Sequence, residues 1–145
     1  MSITTTIQAH IAYELIDDTG PGIVVIEFLS HEIAGSLHAH ELGEQLDSLI
    51  RPDLPGNFVI DFGNVRSLGS TAFGEIVNFA HKVRRLYVCG MDGNLRLGAA
   101  LIGLDDCAEF AESRRSAVDA ARRYAMRAEE DTVDYPCSWI QFNQN

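Results

Sequence analysis

Apolar and polar residues fall in short blocks along this chain, and the period of each block predicts one kind of element. Ile23-Val24-Val25-Ile26-Glu27-Phe28-Leu29 is β-branched and apolar on both faces, the pattern of a strand covered on both sides. Residues 10–16 predict a strand before it, and Asp17-Asp18-Thr19-Gly20-Pro21-Gly22 predicts the turn between the two. Over residues 34–49, Leu37, Leu42, Leu46 and Leu49, with Ile50 just beyond, recur at roughly helical spacing, and the stretch Arg51-Pro52-Asp53-Leu54-Pro55-Gly56 stops that helix. Phe58-Val59-Ile60-Asp61-Phe62 reads as a second central strand. Residues 70–83 predict a helix with Ala72, Ile76, Phe79 or Ala80, and Val83 on its apolar stripe. A third buried strand over 86–89 and a helix over 94–104 follow. In that helix Leu95, Ala99 and Ile102 face one way and Leu97, Leu101 and Leu104 another. Residues 107–111 predict a short edge strand, and Ser113 is a natural N-cap for a helix over 114–129 with Ala117, Val118, Ala121, Ala125 and Ala128 as its core stripe.

Two strands followed by regular alternation of helix and strand predict an α/β architecture: a mostly parallel sheet of four to five strands, right-handed crossovers and about four helices. A chain of 145 residues has room for one such core. The expected division is a polar, frayed arm over 1–9, the domain over 10–129, and an extension over 130–145. Val133, Tyr135, Trp139, Ile140 and Phe142 make that extension apolar enough to dock on the body or to form a self-association contact, as in a homodimer. Eleven basic residues against 21 acidic ones leave a net charge of -10, which repels phosphate backbones and anionic lipid and argues against nucleic acid or a membrane as partner. Runs such as Ile23–Ile26 fall far short of a membrane span, and the N-terminus lacks the regions of a signal peptide, so a cytoplasmic location is expected. Cys89, Cys107 and Cys137 are odd in number and widely spaced, the usage of free thiols.

The stretch from Val59 to Gly74 carries the most chemistry. It sets the hydroxyl of Ser70 at a helix N-terminus directly after a buried strand, on the side of a parallel sheet where open α/β proteins expose functional loops. On these grounds alone Ser70 is either a plain N-cap or an exposed functional hydroxyl. Other constellations do not complete a site. His38 and His40 point to different sides of a helix, and no nearby Cys joins them and His31 in a metal set, so solvated or partner-facing histidines are expected and no metal. A hydrolase triad of Ser70, His81 and Asp61 fails because His81 lies three turns down the same helix. No glycine-rich dinucleotide or phosphate-binding motif is present, so nucleotide hydrolysis has no visible machinery, binding without hydrolysis stays open, and the expectation is no enzyme and no cofactor. Arg114, Arg115, Arg122, Arg123 and Arg127 fall on the last helix, either as a docking stripe or as a solvated face paired with Asp119, Glu129 and Glu130.

The same stretch resembles the STAS domain, the sulfate-transporter and anti-sigma-factor-antagonist family. That family's hallmark is a hydrophobic strand ending in Asp, a short loop, then Asp-Ser-Ser-Gly or a variant opening a helix. Here the strand end is Ile60-Asp61-Phe62, the loop Asn64-Val65-Arg66-Ser67-Leu68, and the hallmark Gly69-Ser70-Thr71-Ala72-Phe73-Gly74. The likeness spans residues 10–123. Gly69 stands where the family commonly has Asp, and Ala72 where it has Gly. The resemblance implies the STAS fold and a non-catalytic signalling role in transcription regulation, that of an anti-sigma factor antagonist. It further implies that Ser70, or Thr71 as second choice, accepts phosphate from an anti-sigma-type serine kinase and is restored by a phosphatase. Helical spacing sets Gly74 one turn beyond Ser70 and Thr71, Glu75, Asn78 and Lys82 along the adjoining polar face, and with Asp61 and Gly69 these make up the expected partner surface. A non-phosphorylated scaffolding module and a small anion or nucleotide binder near Asp61 and Ser70 are the alternatives.

Overall fold

The computed structural model describes residues 9–17 and 21–134, with side chains to residue 127. The N-terminal arm before residue 9, the centre of the first turn, Cys137 and residues 135–145 of the apolar extension lie outside the described residues. Along the chain run β1 (Ile11–Ile16), β2 (Ile23–Phe28), β3 (Glu32–Ile33), α1 (Ser36–Asp47), β4 (Asn57–Asp61) and β5 (Ser67–Leu68). Then come α2 (Ser70–Lys82), β6 (Arg85–Cys89), α3 (Gly93–Ile102), a 3-10 turn over Leu104–Asp106, β7 (Glu109–Ala111) and α4 (Arg114–Asp134). The α/β expectation holds: a five-stranded sheet in the order β1-β2-β4-β6-β7 is parallel except for the antiparallel β1–β2 pair.

The unbroken apolar runs follow from burial on two sides. Alternate side chains of a strand point to opposite faces. Val24, Ile26, Phe28, Phe58, Ile60, Leu86 and Val88 therefore enter a large core under α1, α2 and α3 with Leu42, Leu46, Ile76, Phe79 and Leu95. Ile23, Val25, Val59, Tyr87 and Cys89 enter a smaller core on the other face, closed by Ala117 and Ala121 of α4. Burying side chains of this size contributes about 1.5–3 kcal/mol each, so the two-sided sheet is the main stabilising element. Small alanines on α4 let that helix lie close to the sheet, as the predicted stripe requires.

Three details differ from the pattern reading. The parallel pair β3–β5, with Glu32 opposite Ser67 and Ile33 opposite Leu68, is too short to carry a period. It matters all the same: with Arg66 N–H donating to His31 O (2.7 Å) and Gly69 N–H to Ile33 O (2.9 Å), it ties the loop before α2 to the segment after β2. Secondly, α3 stops at Ile102 because Gly103 adopts a left-handed conformation (φ 88°) that favours glycine. Leu104 consequently turns inward and is fully buried, parting from Leu97 and Leu101, which are 61% and 81% exposed. Thirdly, α4 continues to Asp134, five residues beyond the expected end. Its start is as expected, since Ser116 N–H donates to Ser113 Oγ (3.1 Å).

Candidate functional site: the entrance of α2

Ser70 is the first residue of α2 and not its cap. The N-cap is Gly69, in extended conformation (φ -70°, ψ 163°), and no side chain caps this end of the helix. The plain N-cap reading of Ser70 is thereby corrected: the period locates a helix end only to within a residue or two, and the backbone enters α2 one residue earlier. Ser70 is exposed, its hydroxyl is not used for capping, and the first turn has no acidic residue. The amides of that turn that lack an intrahelical partner leave a partial positive charge beside the hydroxyl.

The expected partner residues separate into two groups. Ser70, Gly74 and Asn78 follow one another at four-residue spacing, and exposed Thr71 lies beside them. Gly74 has nothing within 4 Å of where a Cβ would sit, so the strip is a shallow bare track. Exposed His81 extends it, a residue that the pattern reading considered only for a triad. Glu75 and Lys82, by contrast, face α1. The Glu75 carboxylate fills the space a side chain on Gly43 would take, and Lys82 Nζ meets both oxygens of Asp47 at 3.1 Å. Gly98 lets α3 approach α2: a Cβ there would lie 2.9 Å from the Phe73 ring. Leu97 and Leu101 of α3 are exposed.

Asp61, at the end of β4, is committed elsewhere. Its Oδ1 accepts from Gly63 N–H (2.8 Å) and its Oδ2 from Arg114 Nε (2.9 Å), while Arg114 also donates to Glu27 Oε1 (2.6 Å). Glu27 and Asp61 are register partners on β2 and β4, so Arg114 neutralises two adjacent carboxylates, and these two, Glu27 first, raise its pKa. Arg114 is therefore a clamp and not part of a surface stripe; Arg115, Arg123 and Arg127 are the exposed arginines of α4. Cys89 and Cys107 are free thiols, and burial pushes the Cys89 thiol up to about 12, with Asp61 adding to the shift.

The histidines divide in the same way. His40 is exposed near Glu44, and exposed His31 bonds through Nδ1 to the Asn64 carbonyl (2.7 Å). His38 is not simply solvated: its Nδ1 lies 3.2 Å from Glu41 Oε1, which also meets the buried His10. Residues 31 positions apart share no periodicity, so this cluster left no mark on the sequence pattern.

Sheet order, the helices on either face and the strand-to-helix passage at Ser70 together define the SpoIIAA-like, or STAS, fold. Comparison with solved structures agrees. An anti-sigma factor antagonist from Mycobacterium paratuberculosis superposes with a TM-score of 0.60 at 22% identity, over 83% of this chain and 99% of that one. A candidate anti-sigma factor antagonist from Thermotoga maritima gives 0.62 at 16% identity, over 77% and 94%. The anti-sigma factor antagonist SpoIIAA in its unphosphorylated form gives 0.56 at 15% identity, over 77% and 98%. No family model and no curated protein matches the sequence. Among the described residues no helix is long and apolar enough to cross a membrane.

Proposed function

We propose that this chain is a non-catalytic signalling module of the anti-sigma factor antagonist type, controlled by reversible phosphorylation of Ser70. The observation that carries the reading is the exposed, non-capping Ser70 hydroxyl at the head of the bare Ser70–Gly74–Asn78 track. A helix N-terminus tolerates phosphate, because unpaired amides and the helix dipole meet a group carrying about -1.5 to -2 charge. Phosphorylation therefore leaves the domain folded and acts on whatever lies across α2. A partner seated on the track meets new charge and three oxygens where it had a small hydroxyl, and is released. The kinase supplies the catalysis, this chain supplies the surface, and a phosphatase restores it. Thr71, also exposed, is the second choice of acceptor.

The test is intact-mass and fragment-mass spectrometry of the protein from its native cells, before and after phosphatase treatment. The reading expects one removable phosphate placed on Ser70, lost in Ser70→Ala. A Ser70→Ala chain that still carries the phosphate moves the switch to Thr71. A chain that never carries phosphate, although a kinase copurifies with it, contradicts the switch and leaves a scaffolding module.

A further inference from the structure

Behind α1, on the side of the molecule reached by the start of β1, three ligating side chains converge. His10 Nε2 lies 3.0 Å from Glu41 Oε1, His38 Nδ1 lies 3.2 Å from the same oxygen, and one ligand atom from each residue lies within 4.8 Å of the others. We propose that His10, His38 and Glu41 form a site for a divalent transition-metal ion, with Zn²⁺ as its natural occupant.

The donor set is chemically suited. Two imidazoles and one carboxylate at about 2.0–2.2 Å from a tetrahedral Zn²⁺ sit roughly 3.3 Å apart, so the two His–Glu41 distances need to open only slightly, and the His10–His38 pair, already within 4.8 Å, must settle to that spacing. His38 and Glu41 are three residues apart on α1 and share a helix face. His10 approaches from the chain just before β1, with its ring edge-on to His38 (centroids 5.3 Å apart, 82° between planes). The site is also built. His10 is 1% exposed, its backbone N–H donates to Gln45 Oε1 (2.8 Å), and its carbonyl accepts from Leu29 N–H (2.8 Å).

Proton placement is consistent with metal entry. Without an ion, Glu41 Oε1 can accept from His10 Nε2–H and His38 Nδ1–H in the tautomers that carry a proton on those nitrogens. With an ion, each neutral ring shifts its proton to the other nitrogen. His10 Nδ1–H then donates to Ser30 Oγ, already 3.1 Å away, and His38 Nε2–H faces solvent from a side chain that is 44% exposed. A hydrogen-bonded partner on the non-ligating nitrogen is the usual outer support of a metal-bound histidine. The half-exposed His38 side is the entry path and leaves room for water as fourth ligand. A chain of net charge -10 favours the cation further. The ion would staple the start of β1 to α1, far along the chain from Ser70.

The probe is Co²⁺, followed by Zn²⁺ displacement, on the full chain at neutral pH. One Co²⁺ per chain with visible d–d bands of a four-coordinate site and no thiolate charge-transfer band is expected, displaced by Zn²⁺. Zn²⁺ at a hundredfold excess over its Kd is expected to raise Tm by about 5–10 °C. His38→Ala, a change at a half-exposed position, and Glu41→Gln should each weaken binding at least tenfold while remaining folded by circular dichroism. His10→Gln should do the same, and if it fails to fold, the other two variants decide. No stoichiometric binding, a thiolate spectrum, or unchanged affinity in His38→Ala overturns the proposal, and the cluster is then a hydrogen-bonded one only.

Discussion

Gly74 and Gly98 carry opposite predictions because their surroundings differ. A methyl at Gly74 meets nothing, so Gly74→Ala should raise stability by about 0.5–1 kcal/mol through helix propensity. The same methyl stands on the proposed docking track and should weaken partner binding, so a variant that melts higher yet binds less is the expected result. Equal or tighter binding would take the partner off this face. At Gly98 the new methyl presses on the buried Phe73 ring at 2.9 Å, and such overpacking costs about 1–3 kcal/mol, more than the propensity gain. Thermal melts of the two variants should move in opposite directions. Cys89 gives a pH prediction. Its folded thiol titrates at about 12, above the roughly 8.5 of an unfolded cysteine. Folding therefore favours the protonated form, and the contribution is complete below about pH 8.5 and lost as pH rises towards 12. Urea melts at pH 7 and pH 10 should show Cys89→Ala losing less stability between the two than the parent chain. An equal loss would mean that the buried thiol is not what titrates.

Among the elements, the strands were the most legible, since β2, β4 and β6 are covered on both faces and write that directly as unbroken apolar runs. The helices were legible in type and face and less so in their ends, because the period says nothing of where a left-handed glycine such as Gly103 halts α3. The pair β3–β5 was invisible: two residues each cannot show alternation, and their role is to pin the loop that presents Ser70. Where α4 meets the sheet, the arginines read as a surface stripe because nothing in the sequence pairs Arg114 with Glu27 and Asp61, residues 87 and 53 positions away. Removing this clamp as Arg114→Ala leaves two register-paired carboxylates facing each other. The half-exposed setting limits the cost to about 1 kcal/mol, and like-charge repulsion makes that cost shrink as salt screens it. Melts at low and high ionic strength check this, and a salt-independent penalty would contradict the electrostatic account. Glu27→Gln should recover part of the loss.

At the scale of the molecule, the mostly parallel sheet and the place of the Ser70 hydroxyl at the start of α2 were readable from chain order and one motif, whereas the strand order and the surfaces made by distant segments were not. Asp61, Glu75 and Lys82 were expected with Ser70 on a partner surface, and each has a neighbour within the chain: Asp61 bonds to Arg114, Glu75 packs against Gly43, and the half-exposed Lys82 pairs with Asp47. Of the expected surface, Ser70, Thr71 and Asn78 are exposed on α2 around Gly74, with exposed His81 beyond them, and Leu97 and Leu101 are exposed on α3. The most direct measurement is to recover from its native cells the serine kinase that this account predicts to copurify with the chain, and to titrate it calorimetrically against the parent, Ser70→Ala and Ser70→Asp proteins. Parent and Ser70→Ala are predicted to bind alike, and Ser70→Asp at least tenfold more weakly, with a Tm equal to or slightly above the parent's because the new carboxylate suits the helix N-terminus. Undiminished binding by a folded Ser70→Asp chain would contradict the account.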